Sequence, residues 1–386
     1  IELDYAKAKQ IALDQNKEIQ NARIDVSISK HQVWETTAIG LPQISSTVSY
    51  NNYIDIPVTL IPAMMFNPAA PEGEMMAVQF GTKHNGSLSL SASQLVFSGE
   101  YIVGLQAAKT YKYLSEQNLE KTEADVIEAV SQSYHTLLFA YENVRILEDS
   151  RDEMQTTYEE MKATNEAGLI DQTSVDQILL NLRQLENVIT TLKRQINTQE
   201  LYLKIQMGMK TTDSIVLKDS LTQVFAASGV EQIMMQKFDI NKNVNYKLMG
   251  TQVALQELTL KREKSMYLPT LSAFFQHQQS GQGNEFDFFD SNKDYYESNI
   301  VGVSFDWKLF TSGGRNARVQ QQKLELEKMQ NLQDQLTEQI NMSVALNKSE
   351  LNNAYESYLN EKENMVLAKK IYDNALIQFK AGTLSS

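Results

Sequence analysis

The residues of this chain that could bind a metal or a phosphate do not have the spacing that either function needs. Ser312-Gly313-Gly314 is too short for a phosphate-binding loop and fits the junction of a strand with a helix. There is no cysteine, and no nucleophile stands in a recognisable arrangement with a base. The four histidines share no ligand spacing; they are His31, His84, His135 and His277. The sequence therefore predicts no catalytic residue, no metal site, no cofactor and a function other than catalysis.

The long proline-containing segment 54–83 carries two methionine pairs, Met64-Met65 and Met75-Met76. Thioethers suit soft Cu(I). Methionine is, however, more often a flexible packing residue, so we predict no metal here. We expect an extracellular cap or a contact with a neighbouring chain.

The composition narrows the possible partners. The chain has 386 residues and a net charge of −13, which argues against nucleic acid. Sixteen glycines and six prolines are few for this length and favour long uninterrupted helices. No apolar run reaches the roughly 20 residues of a membrane-spanning helix. The chain begins at Ile1 without a methionine, so we expect a processed or trimmed N-terminus.

The sequence contains an internal duplication. One offset matches Ser98-Gly99 with Ser312-Gly313, and a second offset matches Leu41-Pro42 with Leu268-Pro269. The first offset also relates Lys109 to Lys323, Tyr141 to Tyr355, Tyr158 to Tyr372 and Ala167-Gly168 to Ala381-Gly382, and the second relates Asn16 to Asn243. A duplicated sequence predicts two similar units in one pseudo-symmetric architecture.

Each repeat has the same order of predicted elements. The first repeat spans 1–208, with a helix that ends before Leu41-Pro42, strands at about 43–53 and 85–95, and helices at 99–166 and 174–207. An equatorial linker follows at 209–229. The second repeat spans 230–386, with a helix at 231–266, strands at about 270–278 and 298–309, and a helix at 315–380. At about 1.5 Å per residue, the longest helices would each run about 100 Å.

The strands have the length and alternation of bilayer-crossing strands. Leu88 and Leu90 alternate with a row of serines, namely Ser87, Ser89, Ser91 and Ser93. This pattern predicts a serine face toward a water-filled lumen and a leucine face toward lipid, although a soluble sheet with one wet face gives the same pattern. Aromatic residues near the strand ends favour the membrane; they are Tyr50, Tyr53, Phe286, Phe288, Phe289, Tyr295, Tyr296, Phe305 and Trp307. Four strands cannot close a barrel, so two or three chains would have to share one.

Several segments together resemble the TolC family of outer-membrane efflux proteins. They are Ala12-Leu13-Asp14-Gln15-Asn16-Lys17-Glu18-Ile19, Gly40-Leu41-Pro42-Gln43-Ile44, Gln94-Leu95-Val96-Phe97-Ser98-Gly99, Ala167-Gly168-Leu169 and Lys308-Leu309-Phe310-Thr311-Ser312-Gly313-Gly314. No single segment is specific, but their order, spacing and duplication are, and they cover the whole chain. The resemblance implies a mainly α-helical fold with a small β part. Long helical hairpins would form a trimeric α-barrel, topped by a transmembrane β-barrel to which each chain gives four strands.

The resemblance also implies function and partners. It predicts a homotrimeric passive duct in the outer membrane, with its helical tunnel in the periplasm. Its partners would be outer-membrane lipid, a periplasmic adaptor and an inner-membrane pump of the RND or ABC type. The two hairpin tips would dock the adaptor through Ala167, Gly168, Leu169, Ile170, Thr173, Ala381, Gly382, Thr383 and Leu384. The family adds a returning helix after each tip; the second is missing before Ser386, so we expect a truncated chain, with the family's pore-constricting carboxylates beyond it.

Alternatives stay open within the family and outside it. The duct could carry drugs and other small toxic compounds, or it could serve type I protein secretion. Long helical hairpins also occur in periplasmic adaptors, but an adaptor does not need paired barrel-length strands in each repeat. A purely structural coiled coil is disfavoured, because its heptads are not sustained and two strand pairs interrupt the helices.

Overall fold

A computed structural model describes residues 1–227, 229–290 and 292–380. The described helices are α1 (Tyr5–Gln15), α2 (Lys17–Ala38), α3 (Gly99–Glu166), α4 (Gln172–Gln206), α5 (Leu221–Ala227), α6 (Val230–Met235), α7 (Val244–Ser265) and α8 (Gly314–Lys380). The strands are β1 (Glu2–Leu3), β2 (Gln43–Asn52), β3 (Val58–Pro62), β4 (Met75–Gln79), β5 (His84–Ser98), β6 (Val216–Leu217), β7 (Thr270–Gly283) and β8 (Tyr296–Asp306).

The chain divides into two compact units. The first, here the helical unit, comprises Ile1–Ile28, Tyr113–Val253 and the stretch that begins at Met329. The second, here the sheet unit, comprises Ser29–Lys112 and Ala254–Lys328. Each of these units contains segments of both predicted sequence repeats, so the units are not the repeats, and the division into repeats remains a prediction.

In the helical unit, α4 carries a strict heptad of buried side chains. They are Val175, Leu182, Ile189, Ile196 and Leu203, spaced seven residues apart. In α3 the buried residues Val130, Leu137 and Val144 follow the same seven-residue step and share one core cluster with the later α4 positions. Seven-residue spacing on two helices is the pattern of a coiled-coil seam, so apolar packing joins α3 and α4 between these clustered positions. On α4 the heptad is sustained, which the sequence analysis did not expect.

A buried tyrosine joins the chain start to this core. Tyr134 is fully buried, and its hydroxyl donates to the Asp219 Oδ2 atom over 2.8 Å. The same carboxylate oxygen accepts the backbone N–H of Tyr5 at 2.8 Å. Burial, followed by the hydrogen bond to Asp219, raises the pKa of Tyr134 far above its usual range, so the side chain stays a neutral donor. This network holds α1 beside the short parallel pair β1–β6.

Two asparagines at matching positions of the predicted repeats, Asn16 and Asn243, stand at the start of α2 and of α7. Asn16 separates α1 from α2, and its Oδ1 atom accepts the backbone N–H groups of Glu18 at 2.8 Å and Ile19 at 3.2 Å. Asn243 accepts from Asn245 and Tyr246 in the same way, at 3.0 and 3.2 Å. Such side chains compete with the helical backbone for its N–H groups. For this reason the stretch 231–266, where the sequence predicts one helix, is divided into α6, a 3₁₀ turn at Ile240–Lys242, and α7.

The sheet unit is built on a four-stranded antiparallel sheet in the order β2-β5-β7-β8. One register shift interrupts it, between Leu95 and Phe97 of β5. A separate hairpin, β3–β4, lies within segment 54–83, where the sequence analysis expects only a cap or a chain contact. Within the described residues β2 and β8 each lack a second neighbour, so the sheet has two free edges.

Equivalent side chains fasten the two long helices to the helices that precede the strands. The Tyr101 hydroxyl, in the first turn of α3, donates to the carbonyl of Thr37 at 3.1 Å. Arg315, at the matching position of α8, is buried and donates through Nη1 to the carbonyl of Met266 at 3.1 Å. Both bonds close the junction where a helix passes into a strand, so they set the direction in which the strands leave.

Candidate functional site: the sheet faces and the helical tip

The serine row of β5 lies on one polar face of the sheet. The backbone register places Ser87, Ser89 and Ser91 beside Ser49, Thr47 and Ser45 of β2. On the other side the same serines stand beside Ser280, Gln278 and Gln276 of β7. Hydrogen bonds cross this face, from Gln276 Nε2 to Ser89 Oγ at 3.2 Å and between the Ser49 and Ser87 hydroxyls at 2.7 Å. Ser93, the fourth predicted serine, shares the face and pairs with Gln43 and Phe274.

The opposite face carries a band of apolar side chains that the described chain leaves uncovered. Its members on β2 and β5 are Ile44, Val48, Leu88, Leu90 and Ala92, and on β7 and β8 they are Leu271, Ala273, Phe275, Val301, Val303 and Phe305. Ile44 and Val48 are 73% and 77% exposed, and Val301 is 84% exposed. Large apolar side chains this open to solvent need an apolar environment to cover them.

The apolar band is displaced along the strands between β5 and β7. On β5 it covers Leu88 to Ala92, whereas on β7 it covers Leu271 to Phe275, and the register sets Phe275 beside Ala92. Beyond Phe275 this face of β7 turns polar, and His277 Nδ1 lies 2.7 Å from Asn299 Oδ1 of β8. The band is level on β2 and β5, where Ile44 pairs with Ala92 and Val48 with Leu88, and level again on β7 and β8, so its displacement falls between β5 and β7. A displacement along the strands is what a level hydrophobic layer produces on tilted strands. Transmembrane strands are tilted by about 35–45°.

Aromatic residues collect where β2 and β7 end and β5 begins. The ring centroids of Phe286 and Phe288 lie 5.4 and 5.6 Å from that of Tyr50, in edge-to-face geometry. At the opposite end of the sheet, the Phe305 and Trp307 rings are 6.4 Å apart, and Trp307 Nε1 donates to the carbonyl of Tyr267. Aromatic residues therefore flank the apolar band on both sides, as the sequence analysis expects of a headgroup-level belt.

The tip between α3 and α4 is a tight chain reversal. Gly168 has φ +74°, its N–H donates to the carbonyl of Asn165 at 2.7 Å, and Leu169 N–H donates to the carbonyl of Thr164 at 3.1 Å. This pair of bonds is the Schellman motif, which needs a left-handed residue at the glycine position. Leu169 is 76% exposed at its apex, while Ala167 and Thr173 are also exposed and Ile170 is half-buried.

Sequence reasoning missed two polar residues that shape this tip. Asp171 is the N-cap of α4, and its Oδ1 atom accepts the N–H of Ser174 at 2.8 Å. The sequence analysis starts this helix at 174, yet α4 begins at Gln172, because the Asp171 carboxylate caps the first turn. Asn165 Nδ2 donates to the carbonyl of Ile170 at 2.8 Å and closes the loop. The second predicted tip, Ala381, Gly382, Thr383 and Leu384, lies outside the described residues.

Two other kinds of site are not found among the described residues. Among the ranges given above, no group of three or more His, Asp or Glu side chains is placed to hold a metal ion. None of the described helices combines the length and hydropathy needed to cross a membrane.

Comparison with known proteins gives the family. The family model described as outer membrane efflux protein matches residues 9–208, more than half of the chain. The structure is similar to the CmeC outer membrane channel of Campylobacter jejuni, with a TM-score of 0.69 and 17% identity over 99% of this chain and 77% of that one. It is also similar to the outer membrane protein VceC of Vibrio cholerae, with a TM-score of 0.71 and 14% identity over 99% of this chain and 87% of that one. No curated protein sequence gave a significant match.

These findings confirm the predicted fold class, in which long helices dominate and a four-stranded sheet forms the β part. The relatives are channel proteins of the outer membrane, and the family is one of efflux proteins. The chain therefore belongs to the outer membrane efflux protein family, the TolC-like channels.

Proposed function

We propose that three copies of this chain form a passive duct that carries small molecules out of the cell across the outer membrane. The single observation that supports this most is the sheet, which has one polar face, one apolar face and two free edges. An unpaired strand edge inside lipid costs several kcal/mol for each backbone group. The edges of β2 and β8 must therefore pair with other copies when the apolar band enters a bilayer.

The two faces then acquire different surroundings. The serine and glutamine face, from Ser87 to Ser93 on β5, lines a water-filled lumen, and the band around Leu88 and Leu90 meets lipid. Barrels close from about eight strands upward, so either two or three copies of a four-stranded sheet suffice geometrically. The efflux-protein family and its fold favour three. The long helices continue the duct into the periplasm.

The exposed tip is the part of this duct that meets a periplasmic adaptor, which in turn joins an inner-membrane pump. The Schellman turn at Gly168 leaves Leu169 open at the apex, with Ala167, Ile170 and Thr173 around it. An exposed apolar side chain on a rigid turn is suited to contact with a partner. The matching residues Ala381 to Leu384 complete the docking surface in this proposal.

The test is single-channel recording in planar bilayers together with the size of the detergent-solubilised protein. A trimer that dissociates on heating and shows discrete conductance steps would support the duct. A stable monomer in mild detergent, without conductance, would refute the shared barrel. Complementation of an efflux-deficient strain separates the two cargoes: recovered drug resistance supports small-molecule export, and recovered secretion of a protein toxin without drug resistance supports the alternative.

A further inference from the structure

Four aromatic residues between β7 and β8 lie over the apolar face at the strand ends and are here called the aromatic lid; they are Phe286, Phe288, Phe289 and Tyr295. Phe286 and Phe288 both stand edge-to-face against Tyr50, and their own centroids are 5.7 Å apart. The lid thus rests on the ends of the strands instead of extending from them.

Two glycines make room for the lid. Gly86 of β5 and Gly281 of β7 are directly opposite in the register. A Cβ atom added at Gly86 would lie 2.7 Å from the ring of Phe288, and one at Gly281 would lie 3.0 Å from the ring of Tyr295. Real Cβ atoms essentially never come as close as the distance at Gly86, and the distance at Gly281 is tighter than most, so a side chain at either position would push the ring above it away.

Polar contacts hold the lid in one conformation. Lys293 Nζ lies 2.6 Å from Asp287 Oδ1, and the lysine side chain is only 9% exposed. The same ammonium group is 5.5 Å from the centre of the Phe288 ring. The Tyr295 hydroxyl donates to the carbonyl of Phe288 at 2.5 Å. The lid is therefore preformed, and a ligand beneath it would not have to order it.

Beside the lid lies an open cavity of about 580 Å³, within the usual range of ligand pockets, about 300–1,000 Å³. None of its lining residues is charged; its walls include Val48, Leu88, Phe286 and Phe289. Val48 and Leu88 also belong to the apolar band, so the cavity continues directly into that band. Phe289, at its rim, is 91% exposed.

We propose that this cavity holds one acyl chain of an outer-membrane lipid, an inference that rests on the duct proposed above. Apart from Ser49, Ser87, Gln279 and the two tyrosines, the lining is apolar, and it has no charged group to pair with an anion or a cation. A mainly apolar, uncharged lining suits a hydrocarbon chain. Continuity with the band facing the bilayer gives a lipid chain direct access. The site differs from a general aromatic belt because one acyl chain would occupy a defined place between Val48, Leu88 and the lid.

Tryptophan fluorescence tests the site, because the natural chain has only Trp34 and Trp307. Both would be changed to phenylalanine, and Phe289→Trp would report on the cavity rim. The protein is reconstituted in vesicles of phosphatidylcholine, either unmodified or brominated at carbons 6 and 7 of one acyl chain. We expect brominated lipid to quench Phe289→Trp at least twofold.

Filling the cavity distinguishes a site from bulk lipid. In the Phe289→Trp protein, Val48→Phe, and independently Leu88→Phe, should reduce the quenching by at least half. In a control protein that carries Phe66→Trp, on the β3–β4 connection, the same two substitutions should leave any quenching unchanged. Absence of quenching at Phe289→Trp would mean that water or a second copy covers the lid, and would overturn the proposal. Quenching that neither filling variant reduces would also overturn it, because the ring would then lie in bulk lipid.

Flotation and conductance of the same vesicles keep the two proposals separate. Protein that floats and conducts but is not quenched refutes the lipid site alone and leaves the duct standing. Protein that neither floats with the vesicles nor conducts refutes both. Because Val48→Phe and Leu88→Phe are separate variants, one that fails to assemble does not remove the test.

Discussion

An arginine at two neighbouring positions of β5 should have opposite consequences. Leu90 lies in the middle of the apolar band and is 42% exposed, while Ser89 lies on the polar face beside Thr47 and Gln278. Leu90→Arg places a guanidinium group toward lipid, which costs about 2–4 kcal/mol near the bilayer midplane. Three copies in one barrel would lose roughly 6–12 kcal/mol if the costs add.

Ser89→Arg is the matched control, because it adds the same side chain one residue away. It removes the 3.2 Å hydrogen bond from Gln276, which is worth about 0.5–1.5 kcal/mol, and the new side chain can extend into water. The assay is the yield of heat-dissociable trimer in vesicles, measured as a function of urea. We expect Leu90→Arg to abolish or greatly reduce the trimer and Ser89→Arg to retain it. Equal losses, or a greater loss for Ser89→Arg, would refute the assignment of the two faces.

Three further predictions concern the helical unit. Gly168→Asp should abolish efflux at normal outer-membrane levels, because it places a charge at the proposed docking apex; an added Cβ meets no atom within 4 Å, and although φ +74° strains any side chain, aspartate is among the residues that adopt this conformation most readily. Retained drug resistance would refute adaptor contact there. Tyr134→Phe removes the donor of a buried hydroxyl to the half-buried Asp219 carboxylate and should destabilise the protein by about 1.5–3 kcal/mol in urea unfolding. The exposed Tyr113→Phe should cost less than about 0.5 kcal/mol, and similar values for both would contradict the network. The hydrogen bond from the backbone of the first α4 turn lowers the pKa of Asp171 below its usual 3.8, so the cap is present at neutral pH and is lost as pH falls through that lowered pKa. Hydrogen exchange of the first-turn amides, corrected for intrinsic rates, should speed up over that pH range, and the same change in an Asp171→Asn variant would refute the prediction.

Local patterns were enough to find the strands and their faces. The change from a three- or four-residue period to a two-residue period after Pro42 and Pro269 corresponds to β2 and β7. A side-chain period of two also requires Ser87 and Ser89 to share a face, whatever the strand pairs with. The same alternation in β7, at Gln276 and Gln278, could have extended the polar face, but the sequence analysis named only the serines.

Competition between local hydrogen bonds limited how accurately the sequence predicted where helices begin and end. Asp171 rather than a later residue caps α4, and Asp239 and Asn243 interrupt the stretch that the period alone continues as one helix. In these cases a side chain satisfies backbone N–H groups that the helix would otherwise leave free or bond internally. Composition and period do not show which of several polar residues does so.

The sequence by itself determined the duplication, the long helices, the alternating strands and the family to which they belong, because each depends on spacing along the chain. Only the tertiary structure decided which distant residues meet. Gly86 and Gly281 lie side by side beneath the aromatic lid because β5 and β7 pair in a particular register, and the displacement of the apolar band between these two strands follows from the same register. A shift of one residue would turn every side chain of a strand to the other face. Nothing within either strand alone fixes that choice, since it is made by the packing of both.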